Sequence, residues 1–224
     1  MIADLAVVLV SGGLDSVTLG YEMVREGGRC LWLSFAYGQR HRREVEYAAR
    51  AAKRAGAGWE LVDLTGVGRL LGGNALTGGA PVPEGHYAAP SMAVTVVPNR
   101  NAMMLAVAFG VASAVGAEVV ATAVHAGDHP VYPDCRPAFI EAFAAMEREA
   151  LAGMGAPRLV APYVTLTKAE IVSRGVALGV PYAETWSCYV GGDVHCGRCG
   201  TCVERREAFE LAGVSDPTEY ARGS

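Results

Sequence analysis

Residues 10–16, V-S-G-G-L-D-S, leave the surrounding chain few options. An apolar run over residues 2–10, interrupted by Asp4, leads through Ser11 into two adjacent glycines, and a helical pattern resumes near Asp15. A buried strand that turns at once into a helix satisfies both halves of this pattern. Paired glycines allow the tight turn and a close backbone approach. The start of the helix presents unsatisfied N–H groups and the positive end of its dipole to an anion. An ordinary strand-to-helix turn would need glycine for geometry alone, but Ser, Asp and Ser at fixed places favour an anion site. No Gly-Lys pair occurs in the chain, so a phosphate loop ending in GK[ST] is absent.

The rhythm continues downstream. Strand-like segments at residues 4–10, 29–35, 59–63, 118–123 and 159–161 alternate with helix-like segments at 16–26, 40–55, 101–115, 137–151 and 167–178. Such alternation predicts an α/β fold with a doubly wound, mostly parallel sheet. Thr167 and Glu170 fit a capping box for the last of these helices. Residues 71–98 break the rhythm with Gly72, Gly73, Gly78, Gly79 and four prolines, which predicts a long functional or mobile loop. The stretch G-V-G-R-L-L-G at 66–72 misses the dinucleotide fingerprint by one residue and follows no clear strand, so it reads as loop. Beyond Pro181 the chain changes character, with one short helix at 204–211. Two parts are expected, a nucleotide-binding α/β domain over 1–180 and a C-terminal segment over 181–224 packed on it.

With 224 residues the chain is long enough to bury roughly 70% of its unfolded surface without staples. Its 19 basic and 23 acidic residues leave a formal charge of −4, opposite to the balance of a protein that holds a polyanion, so small substrates and no stable nucleic acid are expected. No run resembles a signal peptide or a membrane span, which predicts a cytoplasmic protein. Lys53 and Lys168 are the only lysines. Lys168 opens a helix after a strand and reads either as a phosphate contact or as a surface lysine.

Four of the six cysteines crowd into Cys188, Cys196, Cys199 and Cys202, with Gly191, Gly192, Gly197 and Gly200 between or beside them. Four thiolates within fifteen residues suit a closed tetrahedral Zn²⁺ site, with a redox pair or an iron–sulfur cluster as rivals and His195 a bystander. Closed coordination implies a structural metal, one that can hold Thr185 and Trp186 in place. Site formation in small zinc peptides contributes ~10–16 kcal/mol, enough to order a short tail.

The S-G-G-L-D-S stretch resembles the signature of the PP-loop superfamily of ATP pyrophosphatases at Ser11, Gly12, Gly13, Asp15 and Ser16. The resemblance implies an adenine nucleotide α-hydrolase-like fold and transfer of AMP to an acid or amide oxygen. It also implies ATP contacts from Val10, Ser11, Gly12, Gly13, Leu14, Asp15, Ser16, Val17 and Thr18. Four further stretches, F-A-Y-G-Q-R-H at 35–41, V-P-N-R-N at 97–101, the Asp128 loop ending Y-P-D-C-R at 132–136, and the cysteine run, are similar to the 7-cyano-7-deazaguanine synthase family over nearly the whole chain. That likeness implies a homodimeric ligase that uses ATP, Mg²⁺, ammonia and 7-carboxy-7-deazaguanine and passes through an adenylated acid and an amide to the nitrile.

Under the same likeness Asp15, Ser16, Arg100 and Lys168 are the expected catalytic residues. Tyr37, Gln39, Arg40, His41, Asn101, Asp128, Tyr132, Asp134 and Arg136 are the expected substrate contacts. Side chains at the carboxyl ends of parallel strands face a ligand crevice, which agrees for the second and fourth strands. Simpler readings stay open. Arg40, Arg42 and Arg43 can be a solvated helix start, Asn101 an N-cap, and Cys135 a buried small side chain or a thiol in the site. The chain departs from the family pattern at Ala36, at His129, Pro130 and Val131, and in a shorter first cysteine gap. These departures leave room for an enzyme that stops at the amide or passes the acyl group to another amine. A tRNA-adenylating relative is disfavoured by the acidic balance and the single loop cysteine.

Overall fold

A computed structural model describes residues 4–40 and 43–221 of the chain. Five strands, β1 (Leu5–Leu9), β2 (Arg29–Ala36), β3 (Gly58–Asp63), β4 (Val119–Ala121) and β5 (Arg158–Val160), form one sheet in the order β3-β2-β1-β4-β5. All four pairings are parallel, with Val8 opposite Trp32 on one side and Ala121 on the other. Parallel neighbours require crossovers, which α1 (Leu14–Arg25), α2 (Arg43–Ala55), α4 (Arg100–Val115) and α5 (Pro137–Ala150) supply. A short α3 (Thr65–Gly68) follows β3, and α6 (Lys168–Leu178) and α7 (Gly200–Leu211) complete the chain.

The period of two along each strand divides the core. Ala6, Val8, Val10, Trp32, Val119 and Ala121 face α1, α2, α6 and α7, where Leu14, Val17, Ala48, Ile171, Val172 and Phe209 meet them. Val7, Leu33, Phe35 and Val120 face the other way onto Leu105, Ala108, Phe109 and Phe143 of α4 and α5. Both faces are covered, so the strands read as nearly continuous apolar runs. Helix α1 lies close to the sheet because Gly20 leaves room for Trp32, whose Cζ2 would stand 2.3 Å from any Cβ there.

Two elements differ from the sequence expectation. Helix α4 begins at Arg100 after Asn99, whose φ of 59° is left-handed, so Asn101 lies inside the first turn and is not the cap. Helix α7 starts at Gly200 and not at 204, because Cys199 occupies the N-cap position and Cys202 sits in the first turn. The cysteine segment therefore runs directly into the helix. Residues 71–98 are packed. Asn74 accepts from the N–H groups of Leu76 and Thr77, Gly85 donates to the Arg198 carbonyl, and Pro90–Thr95 forms a 3-10 turn that buries Met92.

Candidate active site

The chain steps from β1 outward to β2 and β3, then returns to lay β4 on the other side of β1. A parallel sheet opens a crevice at that reversal, outside the carboxyl ends of the strands. A cavity of about 240 Å³ occupies the place. It is bordered by the turn after β1, by Thr122 to His125 after β4, and by residues from the C-terminal segment, Trp186, Ser187, Tyr189 and Thr201.

The turn after β1 is held from three sides. Gly12, at φ 91°, lets the Glu44 carbonyl of α2 approach so closely that a Cβ would stand 2.2 Å from its oxygen. The Trp186 N–H donates to the Gly12 carbonyl at 2.9 Å, tying the C-terminal segment to the turn. Ser16 Oγ accepts from the Ser11 N–H at 3.1 Å and lies 3.1 Å from Ser11 Oγ. Gly13 precedes α1 with no side-chain cap, so first-turn N–H groups border the cavity without an internal acceptor.

Beside the turn stands a chain of charges. Asp15 Oδ2 lies 3.3 Å from Lys168 Nζ and 3.7 Å from His125 Nε2, while its buried Oδ1 has no hydrogen-bond partner among the described residues. Lys168 also pairs with Glu204 of α7. Burial alone would lower the Lys168 pKa, but the Asp15 and Glu204 carboxylates outweigh it and hold the ammonium above the ordinary lysine value. Burial moves Glu204 upward, with Lys168 opposing. His125 Nδ1 accepts from the Gly127 N–H at 3.1 Å, which leaves Nε2 to face Asp15 and, at 3.6 Å, Asp128. Tyr87 from the long loop donates to Asp128 Oδ1 at 3.1 Å.

The other lobe is aromatic. Tyr37, Tyr132 and Tyr189 line it together with Arg100, Asn101, Cys135 and Glu44. Arg100 Nη1 donates to Tyr37 OH at 3.3 Å, and Asn101 Nδ2 donates to Cys135 Sγ at 3.1 Å. Burial pushes the Cys135 thiol well above its usual value, and Asp128 and Asp134 add to the rise, so it stays protonated. Burial pushes Glu44 up to about 7, partly offset by Arg100.

Most of the expected site residues meet here: Val10, Ser11, Gly13, Leu14, Asp15, Ser16, Tyr37, Gln39, Arg100, Asn101, Asp128, Tyr132 and Lys168 all border the cavity. Others do not. Gly12, Val17 and Thr18 lie behind the turn, the last bonded to Tyr182 OH at 2.9 Å in the core. Arg40 reaches out to the Ala80 carbonyl, Arg136 to that of His129, and Asp134 accepts from the Asn101 N–H at the start of α4. His41 lies outside the described residues. Lys168 is not a surface lysine, since its side chain is 13% exposed. Ala36, His129, Pro130 and Val131, where the chain departs from the family pattern, do not border the cavity.

Sequence reasoning passed over His125, Glu44, Glu204, Tyr87 and Tyr189. His125 lies four residues past the end of β4, and its position beyond the carboxyl end of a strand was a usable signal. The two glutamates stand in charged helical stretches that carry no pattern of their own.

Outside the cavity, the sulfurs of Cys188, Cys196, Cys199 and Cys202 lie within 4.8 Å of one another, with Cys196 and Cys202 at 3.9 Å. Four thiolates bonded at about 2.3 Å around one tetrahedral ion are separated by about 3.8 Å, so the cluster can hold a single metal ion. His195 points elsewhere, accepting from the Ser187 N–H at 3.1 Å and stacking on Trp186.

The strand order, the glycine turn at the switch point and the cavity define an enzyme with the PP-loop, adenine nucleotide α-hydrolase-like fold. NMN synthetase from Francisella tularensis has this fold, with a TM-score of 0.55 at 15% identity, covering 95% of this chain and 79% of that one. The U34-tRNA thiolase NcsA from Methanococcus maripaludis with its [4Fe-4S] cluster matches at 0.51 and 12% identity, over 95% and 65% of the two chains. The family model of queuosine biosynthesis protein QueC matches residues 5–213, and the chain belongs to that family. It is similar to the 7-cyano-7-deazaguanine synthase of Paracoccus denitrificans (strain Pd 1222), 60% identical over 96% of this chain and 92% of that protein. The 7-cyano-7-deazaguanine synthase 1 of Mesorhizobium japonicum is 60% identical over 96% and 93%.

Proposed function

We propose that this chain is an ATP-dependent ligase that converts 7-carboxy-7-deazaguanine and ammonia to 7-cyano-7-deazaguanine. The relatives' names supply the substrate. In this chain, the observation that carries the reading is one cavity that runs from the glycine turn to the aromatic wall of Tyr37, Tyr132 and Tyr189. Such a cavity lets a carboxylate on a flat ring meet the α-phosphate of ATP.

The substrate carboxylate attacks that phosphorus, and pyrophosphate leaves toward Ser11, Gly13, Ser16 and the N–H groups opening α1. Ammonia then displaces AMP and gives the amide. The amide oxygen takes a second AMP, and its departure with loss of the N–H protons leaves the nitrile. ATP is needed twice because each step turns a poor leaving oxygen into a phosphate ester. Lys168 carries the positive charge nearest the turn, Arg100 is the cation of the substrate lobe, and Asn101 and Asp128 offer polar contacts to the ring edge.

The unpartnered Asp15 Oδ1 fits a ligand to Mg²⁺, which would neutralise phosphate charge as it builds. The sulfur spacing favours one Zn²⁺ over a cluster, held by Cys188, Cys196, Cys199 and Cys202 as a structural ion. Its segment, 181–224, is read as a metal-organised cap on a nucleotide domain, 1–180. The biosynthetic relatives favour a cytoplasmic enzyme, the acidic balance favours one without a stable nucleic-acid partner, and the family likeness favours a homodimer. Among the described residues no helix is long and apolar enough to cross a membrane.

Incubation with ATP, Mg²⁺, ammonium and 7-carboxy-7-deazaguanine, followed by mass analysis, tests the reading. Nitrile is expected. ATP consumption without amide or nitrile would refute the substrate.

A further inference from the structure

Ammonia brings three hydrogens and a nitrile keeps none, so the reaction must shed three N–H protons. Some group beside the reacting nitrogen has to accept them, at a pH where it is free to do so. Most cavity side chains are committed. His125 Nδ1 already accepts from the Gly127 N–H. Asp15 is paired with Lys168, and Asp128 accepts from Tyr87 and from the His125 N–H. Lys168 is held as an ammonium, and Cys135, Tyr37, Tyr87 and Tyr189 are all pushed upward by burial and stay protonated.

Glu44 differs. It stands in the first turn of α2, borders the cavity, and its own carbonyl packs on Gly12 of the nucleotide turn. It therefore lies between the turn and the substrate lobe. Among the described residues, the charged and titratable groups that act with its carboxyl are Arg100 of α4 and Tyr37 just after β2. We propose that Glu44 is the general base that takes the protons lost by nitrogen during amide and nitrile formation.

This inference rests on the ligase reading above. In the first step nitrogen attacks the acyl carbon, an N–H proton passes to Glu44, and the C–O bond breaks with its electrons going to AMP. In the second, the O-adenylated amide gives its remaining N–H protons in turn to Glu44. The C–O electrons again leave with AMP as the third C–N bond forms. Glu44 returns each proton to solvent between steps. Burial lifts its carboxyl to about 7, which suits a base that must both accept and release near neutrality.

Glu44→Gln removes the acceptor and keeps the shape. With amide supplied as substrate, nitrile formation is expected to fall by about 10²–10⁴-fold. Acid-dependent exchange of pyrophosphate into ATP, which reports adenylation alone, is expected to stay within about threefold of the wild type. Nitrile formation near the wild-type rate, or an equal loss in both assays, would overturn the proposal. If Glu44→Gln does not fold, Glu44→Asp decides, because a shortened base slows the nitrile step and moves the rising limb of its pH profile, and an unmoved profile and rate would contradict the role. Wild-type protein that makes neither amide nor nitrile from the acid would defeat the ligase reading itself, a different result from any of these.

Discussion

Lys168 Nζ lies 3.3 Å from Asp15 Oδ2 and pairs with Glu204 on its other side, so one buried ammonium joins the nucleotide turn to the helix that follows the cysteine cluster. Removing it leaves two carboxylates, 21% and 12% exposed, without the ammonium that stands between them. Lys168→Met is expected to destabilise the fold by about 3–5 kcal/mol in denaturant titration and to weaken ATP binding. Unchanged stability would mean that the ion pairs contribute nothing.

Two glycines with nearly the same backbone give a matched pair of tests. Gly12 and Gly27 have φ of 91° and 92°, but a Cβ at Gly12 meets the Glu44 carbonyl oxygen at 2.2 Å and one at Gly27 meets nothing. Gly27→Ala should cost only the backbone strain, about 1–2 kcal/mol. Gly12→Ala should add displacement of α2 from the turn and abolish ATP binding, measured by calorimetry. Equal effects would contradict the close packing of α2 on the turn.

This contrast marks what could be read in the sequence. The alternation of apolar strands and helices, the glycine turn and the cysteine spacing are local signals, and the five strands lie within a few residues of expectation. The partners of Lys168 were not legible, because Asp15, Lys168 and Glu204 are far apart in the chain and meet only through the order of the sheet and the packing of α7 on α6. Arg40, Asp134 and Arg136 erred the other way. They sit in informative stretches, yet one-residue steps along a loop turn neighbours in opposite directions, toward the cavity for Gln39, Tyr132 and Cys135 and away from it for the others.

Metal removal should be felt at the nucleotide turn. Trp186 is buried, packs on His195 and donates to the Gly12 carbonyl, while Cys199 and Cys202 form the start of α7. Stripping the ion under denaturing-free chelation is expected to shift tryptophan emission to the red and to weaken ATP binding in the same titration, with one zinc released per chain by elemental analysis. Loss of metal without loss of ATP binding would separate the two sites.

Glu44 also gives stability a pH dependence of defined sign. Its pKa rises from 4.5 to about 7 on folding, so the folded state binds the proton more tightly. Stability is therefore greatest below the unfolded value and falls as pH climbs from about 4.5 to 7. Glu44→Gln lacks this loss. The melting temperature of the variant relative to wild type should rise across that window, and a constant difference would show that the carboxyl is not strained by burial.

The proposed reaction runs through two adenylations of substrate oxygen. With 7-carboxy-7-deazaguanine labelled by ¹⁸O in both carboxyl oxygens, each activation must carry one labelled oxygen away on a phosphate. Mass analysis of the nucleotides should find two equivalents of ¹⁸O-labelled AMP per nitrile formed, with unlabelled pyrophosphate. Label in inorganic phosphate, with ADP as the nucleotide product, would contradict the assignment of this cavity to AMP transfer.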